Sequence, residues 1–315
     1  MKKAVIVFSV FLISIAQAQY TPIINSNRPG ESMTAFAVGR HMLQVETGVY
    51  GLLEEHSKLR TNNNGIGAEL NVRYGNFDDR LEFVLQTNTI YDAFNSPLVQ
   101  EKRFGIKAAN LGAKFLVFDP FKNKKDDWNM YSWKANKKFK WKQFIPAVAI
   151  YAGANFNYET NRFYPIVVDE NIVTPRAMLI TQNQFGTSTV FVTNWFWDKF
   201  GSPYENKGFI ATLTNSFGKK YMIMLEVKAV QGDYYSDQIL TAGFAYLLQD
   251  NIQLDLNISK NFKDTPDLLY GGVGMSYRFD LGRDEKLGKQ KGGFKSGGKN
   301  NNKKFSLKNI FKKKS

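Results

Sequence analysis

Hydrophobic and polar positions alternate with a period of two in one segment after another of this chain, from Met42 to Phe279. The clearest segment is the last, 268–279. Leu269, Gly271, Val273, Met275, Tyr277 and Phe279 share one face, and Tyr270, Gly272, Gly274, Ser276 and Arg278 share the other. The first face suits lipid, with aromatics at the interface level; the second is small and polar with one charge. A dyad repeat of about ten residues that ends in an aromatic predicts a strand that crosses a membrane. The same pattern predicts strands over 42–53, 67–75, 80–86, 104–118, 145–157, 175–181, 189–197, 209–217, 221–230, 240–248 and 252–259. The set of twelve is even, as it must be for an up-and-down barrel whose two ends return to one side. The expected fold is all-β, a transmembrane antiparallel β-barrel of about 12 strands.

The connections carry a second signal. Turns after the second, eighth and tenth segments are short, as 76–79 illustrates. Those after the first, third, fifth, seventh and ninth read as longer, the first being a polar loop over 54–64. Short periplasmic turns and long outer loops are the asymmetry of such barrels. One connection departs from it: 119–144 is long and basic and holds Trp128, Trp133 and Trp141. It reads as an interfacial segment with aromatics at the headgroups, the sharper alternative being a nucleic-acid or anionic-lipid surface. A soluble β-sandwich would alternate too, but soluble strands usually stop at five or six residues.

Composition separates the ends from the middle. The net charge of +14 belongs mostly to residues 281–315, which carry twelve Lys or Arg against two Asp or Glu, a balance of +10. The core keeps about +2 once Lys2 and Lys3 are set aside, which removes the case for nucleic acid as a partner. Lys2-Lys3, the apolar run Ala4–Ala16 and Ala16-Gln17-Ala18 read as a secretory signal cleaved after Ala18, so residues 1–18 are a signal peptide. Residues 19–40 form an irregular leader, and 41–280 the barrel. The tail 281–315 reads as disordered, ending in a basic amphipathic turn with Leu307, Ile310 and Phe311 on one face. That turn is a docking point for anionic lipid or a periplasmic partner, or else a solvated linker. The chain holds no cysteine, which excludes disulfides and thiolate metal sites.

Several short stretches resemble a known family. Asn27-Arg-Pro-Gly-Glu-Ser-Met33 with Val38-Gly-Arg-His-Met-Leu-Gln-Val-Glu-Thr-Gly48 is similar to the start of the outer-membrane family named for the meta-pathway of phenol degradation. Arg73–Glu82 is similar to its second hairpin, and Gly274-Met-Ser-Tyr-Arg-Phe279 to its last strand; Leu111–Phe115, Met224–Glu226 and Leu254-Asp255 recur in order. Two departures are Asn27, where the family usually has an acidic residue, and the 36 residues after Phe279. The asparagine- and lysine-rich composition resembles that of Bacteroidetes chains. The resemblance implies a twelve-stranded outer-membrane barrel and a role in solute uptake, without fixing aromatic substrates. It also implies that Tyr277 and Phe279 serve as an assembly signal for the barrel-assembly machinery.

The candidate site is the inward-facing set Glu46, Glu69, Arg73, Arg80, Glu82, Gln86, Lys114, Glu226, Lys228, Asp255, Asn257 and Arg278. Mixed charges across a narrow lumen either pair into a ladder that fills it or line a polar path that selects solutes. Arg28 on the leader is placed to pair with an interior carboxylate and act as a small plug. Catalysis finds little support: the histidines are His41 and His56, and His56 beside Glu54 and Glu55 is the nearest approach to a triad. No metal-ligand spacing, phosphate-cradling loop or G-x-S-x-G is present, so no cofactor and no metal is expected. The two functional classes are a solute-conducting channel and a non-conducting structural or secretion-associated barrel that recruits partners through its tail.

Overall fold

The computed structural model describes residues 23–121, 141–157, 163, 171–186 and 188–282. Twelve strands lie among them: β1 Met42–His56, β2 Thr61–Gly75, β3 Leu81–Asn95, β4 Gln100–Phe118, β5 Ala147–Phe156, β6 Val173–Phe185, β7 Thr189–Asp198, β8 Asn206–Phe217, β9 Tyr221–Gly232, β10 Asp237–Gln249, β11 Ile252–Asn261 and β12 Asp267–Asp280. Each pairs antiparallel with its neighbours in sequence, and β1 pairs with β12 from Met42↔Asp280 to Glu55↔Asp267, which closes the sheet. Closure leaves no strand edge unpaired, as a β-structure in lipid requires.

All twelve predicted segments are strands, and most run further than the alternation suggested. The predicted loop 54–64 is mostly hairpin: Glu54↔Asn63 and Glu55↔Asn62 are paired, and only 57–60 turns. The connection 96–99 is equally tight, so the long outer loops expected after the first and third strands are absent. The reason is physical. These strands project beyond the apolar layer, where both faces meet water and the two-residue repeat of hydrophobicity disappears while the hydrogen-bond ladder continues. Asn62-Asn63-Asn64 therefore has loop composition and strand geometry. Likewise 175–181, a weak segment on sequence, is the centre of the 13-residue β6. In the connection 119–144, Trp141–Phe144 forms one 3-10 turn, and 122–140 lies outside the described residues. The signal segment and the tail beyond 282 lie outside them as well.

The two faces of the wall differ as the pleat demands. Outward positions carry exposed apolar side chains around the sheet, among them Val49, Leu70, Phe115, Ile150, Leu179, Trp195, Leu213, Leu225, Leu256 and Val273. Such a belt is stable only against lipid. Tyr277 and Phe279 lie on this face at the β12 end, their ring centroids 4.3 Å apart. The inner face is divided. The wall from β9 round through β12 to β4 is charged, whereas Ala147, Ala149 and Tyr151 on β5, Met178 and Ile180 on β6, Val192 and Phe196 on β7 and Ile210 on β8 form an apolar cluster inside the barrel. The expectation of polar inward positions holds for one half of the wall only. Leu256, midway along β11 between Phe244 and Val273, tests the lipid-facing assignment. Leu256→Arg should destabilise the refolded barrel by about 2–4 kcal/mol in denaturant titrations in liposomes.

Candidate functional site

Residues 23–40 precede β1 and run through the interior, touching nearly every side of the wall. The segment forms no strand, because a closed sheet offers it no edge. Its peptide groups are met instead mainly by wall side chains, the Ile24 amide donating to the Asp250 carbonyl of the β10–β11 turn at 2.7 Å. Asn194 on β7 accepts from the Met33 amide at 2.6 Å and donates to the Met33 carbonyl at 2.9 Å. Glu226 on β9 accepts from the amides of Glu31 (2.9 Å) and Ser32 (3.2 Å) and from the Thr212 hydroxyl (2.7 Å). Gln182 accepts from Ala35, and Gln253 and Asn257 donate to the carbonyls of Arg28 and Pro29. Arg278 donates to the Ile23 carbonyl and to Gln44.

The centre of the charged wall is a neutral tetrad assembled by register. Arg73 on β2 donates to Glu82 on β3 at 3.1 and 3.0 Å and lies 3.4 Å from Glu46 on β1. Lys114 on β4 lies 2.7 Å from Glu82. All four side chains are fully buried. Two carboxylates and two cations balance, which is the condition for keeping charges out of water. The cations hold the leader as well: Arg73 reaches the carbonyls of Asn25 and Phe36, and Lys114 those of Thr34 and Phe36. Glu82 accepts from the Val38 amide.

A second network holds the leader's own charges. Arg28 lies 2.7 Å from Glu69 and 3.1 Å from Asp255. Its guanidinium fits a slot made by Gly48 and Gly274, which face each other across the β1–β12 seam. A Cβ at either position would stand 2.4 Å from it. Burial disfavours the Arg28 charge, but the carboxylates of Asp255 and Glu69 outweigh that and hold the guanidinium above its ordinary value. Glu31 meets Lys228 at 2.5 Å and accepts from the Tyr270 hydroxyl at 3.0 Å. Burial by itself would push the Glu31 carboxyl up; the Lys228 ammonium overrides it and holds the group below the ordinary carboxylate value.

Of the residues proposed from sequence, Glu46, Arg73, Glu82 and Lys114 are brought together in the tetrad. Glu69 and Asp255 meet at Arg28, Lys228 meets Glu31, and Glu226, Asn257 and Arg278 hold leader backbone. Gln86 faces inward between Asn71 and Asn110 in the register. Arg80 is a correction: it lies in the turn between β2 and β3, where its amide donates to Asp78, because β3 begins only at Leu81. His56 ends β1 and accepts from the Leu59 amide, capping a turn, while Glu54 accepts from Asn63. Sequence reasoning missed Asn194, Gln182, Gly48 and Gly274 as parts of the site. Paired glycines on an inward face were the available signal, and the leader they accommodate was not yet placed.

A closed twelve-stranded sheet with an apolar outer belt and a charged interior is a membrane-spanning β-barrel, here one with a chain segment inside its lumen. The protein belongs to the family described as "Putative MetA-pathway of phenol degradation", which it matches over residues 26–279. Its fold is shared with the COG4313 outer membrane channel from Pseudomonas putida F1, at a TM-score of 0.52 and 10% identity over 81% of this chain and 100% of that one. Looser likenesses are the NanC porin (TM-score 0.45, 8% identity, 73% and 98% of the two chains) and the KdgM porin in complex with disordered oligogalacturonate (0.43, 10%, 74% and 99%). No curated protein sequence matches the chain.

Glu82 answers Arg73, Lys114 and the Val38 amide at once, so Glu82→Ala leaves two buried cations facing the single carboxylate of Glu46. The expected loss is about 3–5 kcal/mol, read as a lower denaturant midpoint of the barrel. A companion Arg73→Ala change should cost less in the Glu82→Ala background than in the native one.

Proposed function

We propose that the protein is an outer-membrane channel for small solutes whose leader occupies the lumen and is displaced for passage. The observation that carries this reading is the way the leader is held. Among the described residues its contacts with the strands are side-chain hydrogen bonds, ion pairs and packing contacts inside an already closed sheet. Its one backbone bond to the barrel, from the Ile24 amide, is to the Asp250 carbonyl in the β10–β11 turn, so it can leave without opening the barrel. The match is also imperfect. Among the described residues Asn27 Nδ2, Asn71 Oδ1 and Asp255 Oδ2 are buried without a hydrogen-bond partner. Each such atom costs about 1–3 kcal/mol, which lowers the net hold on the docked segment. The name of the structurally similar COG4313 channel supports the same reading. Outward-facing Tyr277 and Phe279, at the end of the closing strand, fit recognition by barrel-assembly machinery.

Planar-bilayer recordings of the full chain separate a channel from a non-conducting scaffold. Arg28→Ala removes both ion pairs made by Arg28, and Gly274→Val fills its slot. Each change removes a charge-assisted contact worth about 1.5–3 kcal/mol, so the open fraction should rise about tenfold or more. Unaltered steps in both variants, and in a chain lacking 19–39, would sink the displaced-leader reading; persistent silence would favour the scaffold.

Acid should loosen the leader. The Glu31 carboxyl titrates lower in the docked state than its ordinary value of 4.5, so its contribution is present above that value and is lost as the pH falls through the lower one. Conductance should therefore rise on acidification below about pH 4.5, and Glu31→Gln should blunt that rise.

A further inference from the structure

Four residues form a straight row across the seam that closes the barrel. Glu69 on β2 pairs with Gly48 on β1, Gly48 with Gly274 on β12, and Gly274 with Asp255 on β11. Two carboxylates thus stand at the ends of a strip of bare backbone, their strands three spacings of about 4.8 Å apart. Arg28 of the leader lies over that strip, its Nη1 2.7 Å from Glu69 and its Nε 3.1 Å from Asp255. Among the described residues Arg28 is the partner of both carboxylates. The wall cations are engaged elsewhere: Arg73 and Lys114 by Glu46 and Glu82, and Arg278 by Gln44. Lys228 is held by Glu31 of the leader, and its field reaches Glu69 and Glu226. Once Glu31 has gone, Lys228 balances one carboxylate among Glu69, Asp255 and Glu226. A lumen without its leader is short of positive charge at this level.

Arg28 does not saturate the row. The Asp255 side chain is fully buried, and its Oδ2, on the same carboxylate as the oxygen that accepts from Arg28, has no hydrogen-bond partner. Asn71 Oδ1, two residues along β2 from Glu69, is buried and unpaired as well. A guanidinium tied to the leader backbone meets one oxygen of each carboxylate. An untethered one carries N–H donors on every edge and can settle against the second oxygens too. The glycines set the shape of what fits: a Cβ at either would stand 2.4 Å from the guanidinium, so the strip admits a flat group lying on the backbone. A bare metal ion fits less well, since among the described residues no three His, Asp or Glu side chains converge as ligands. The Glu69 side chain is 42% exposed, so water reaches the row at that end. We infer that Glu69, Gly48, Gly274 and Asp255 form a solute site that Arg28 fills in the docked state, and that its ligand is an organic cation with a planar head, a guanidinium or amidinium. The leader is then a tethered mimic of the solute that replaces it.

The inference rests on the channel reading for the withdrawal of the leader, and the test keeps the two apart. The full chain and its Arg28→Ala variant are reconstituted in nanodiscs, and retention of methylguanidinium, methylammonium and acetate is measured by equilibrium dialysis against empty nanodiscs. Arg28→Ala should retain methylguanidinium about tenfold or more over the other two probes and over the native chain, and should lose that preference when Glu69→Gln and Asp255→Asn are added. Equal retention of the three probes overturns the site. So does a preference that survives the added changes in a barrel that still resists unfolding in detergent. Bilayer recordings then ask whether a solute takes the place of Arg28. Methylguanidinium should raise the open fraction of the native chain and acetate should not. A native chain that opens but ignores methylguanidinium has only a clasp for Arg28, which removes the solute site and leaves the channel. Retention by Arg28→Ala with silence in every recording does the reverse.

Discussion

A chain segment inside a closed sheet has to satisfy its peptide groups without strand partners, and that constraint shapes the interior of this barrel. Within the strands the N–H and C=O groups are spent on the neighbouring strand, so apart from the Asp250 carbonyl in a turn, which accepts from Ile24, it is side chains that answer the leader. The wall therefore presents amide and carboxylate groups at the required heights: Asn194 pairs both polar groups of Met33, Glu226 takes two consecutive amides, and Gln253 and Asn257 take consecutive carbonyls. The leader is thus bound much as a ligand is bound. Its fit owes as much to what is missing at Gly48 and Gly274 as to what is present.

The charged and apolar halves of the interior follow different rules. The tetrad of Glu46, Arg73, Glu82 and Lys114 is buried and self-balanced, and its cations place their remaining donors on leader carbonyls. Such a network is costly to break and rigid when whole. The opposite half packs Met33 and Ala35 of the leader against Tyr151, Met178 and Ile180, where dispersion and burial replace charge. One segment is held by ion pairs on one flank and by apolar contact on the other.

Much of the architecture was legible because lipid imposes a severe test on every strand. The alternation in 252–259 and 268–279 marks outward Leu254, Leu256, Val273 and Met275 without reference to anything else in the chain. Where the strands leave the lipid, the signal fades while the ladder continues, which is why Asn62–Asn64 read as loop and β6 as a fragment. Arg80 shows the complementary error: it keeps the alternation phase of Glu82 but belongs to the turn. On inward faces the pattern reports only that a position need not be apolar, so the apolar cluster of β5–β8 was invisible.

The sequence by itself determined the number of staves, their order and their outward faces, because the lipid belt and the two-residue pleat are local properties of each strand. Tertiary structure alone decided the partners inside. Arg28 and Asp255, or Met33 and Asn194, are far apart in the chain, and no spacing relates them. They meet because closing β1 on β12 turns every inward face toward one narrow space, and the leader lies within it.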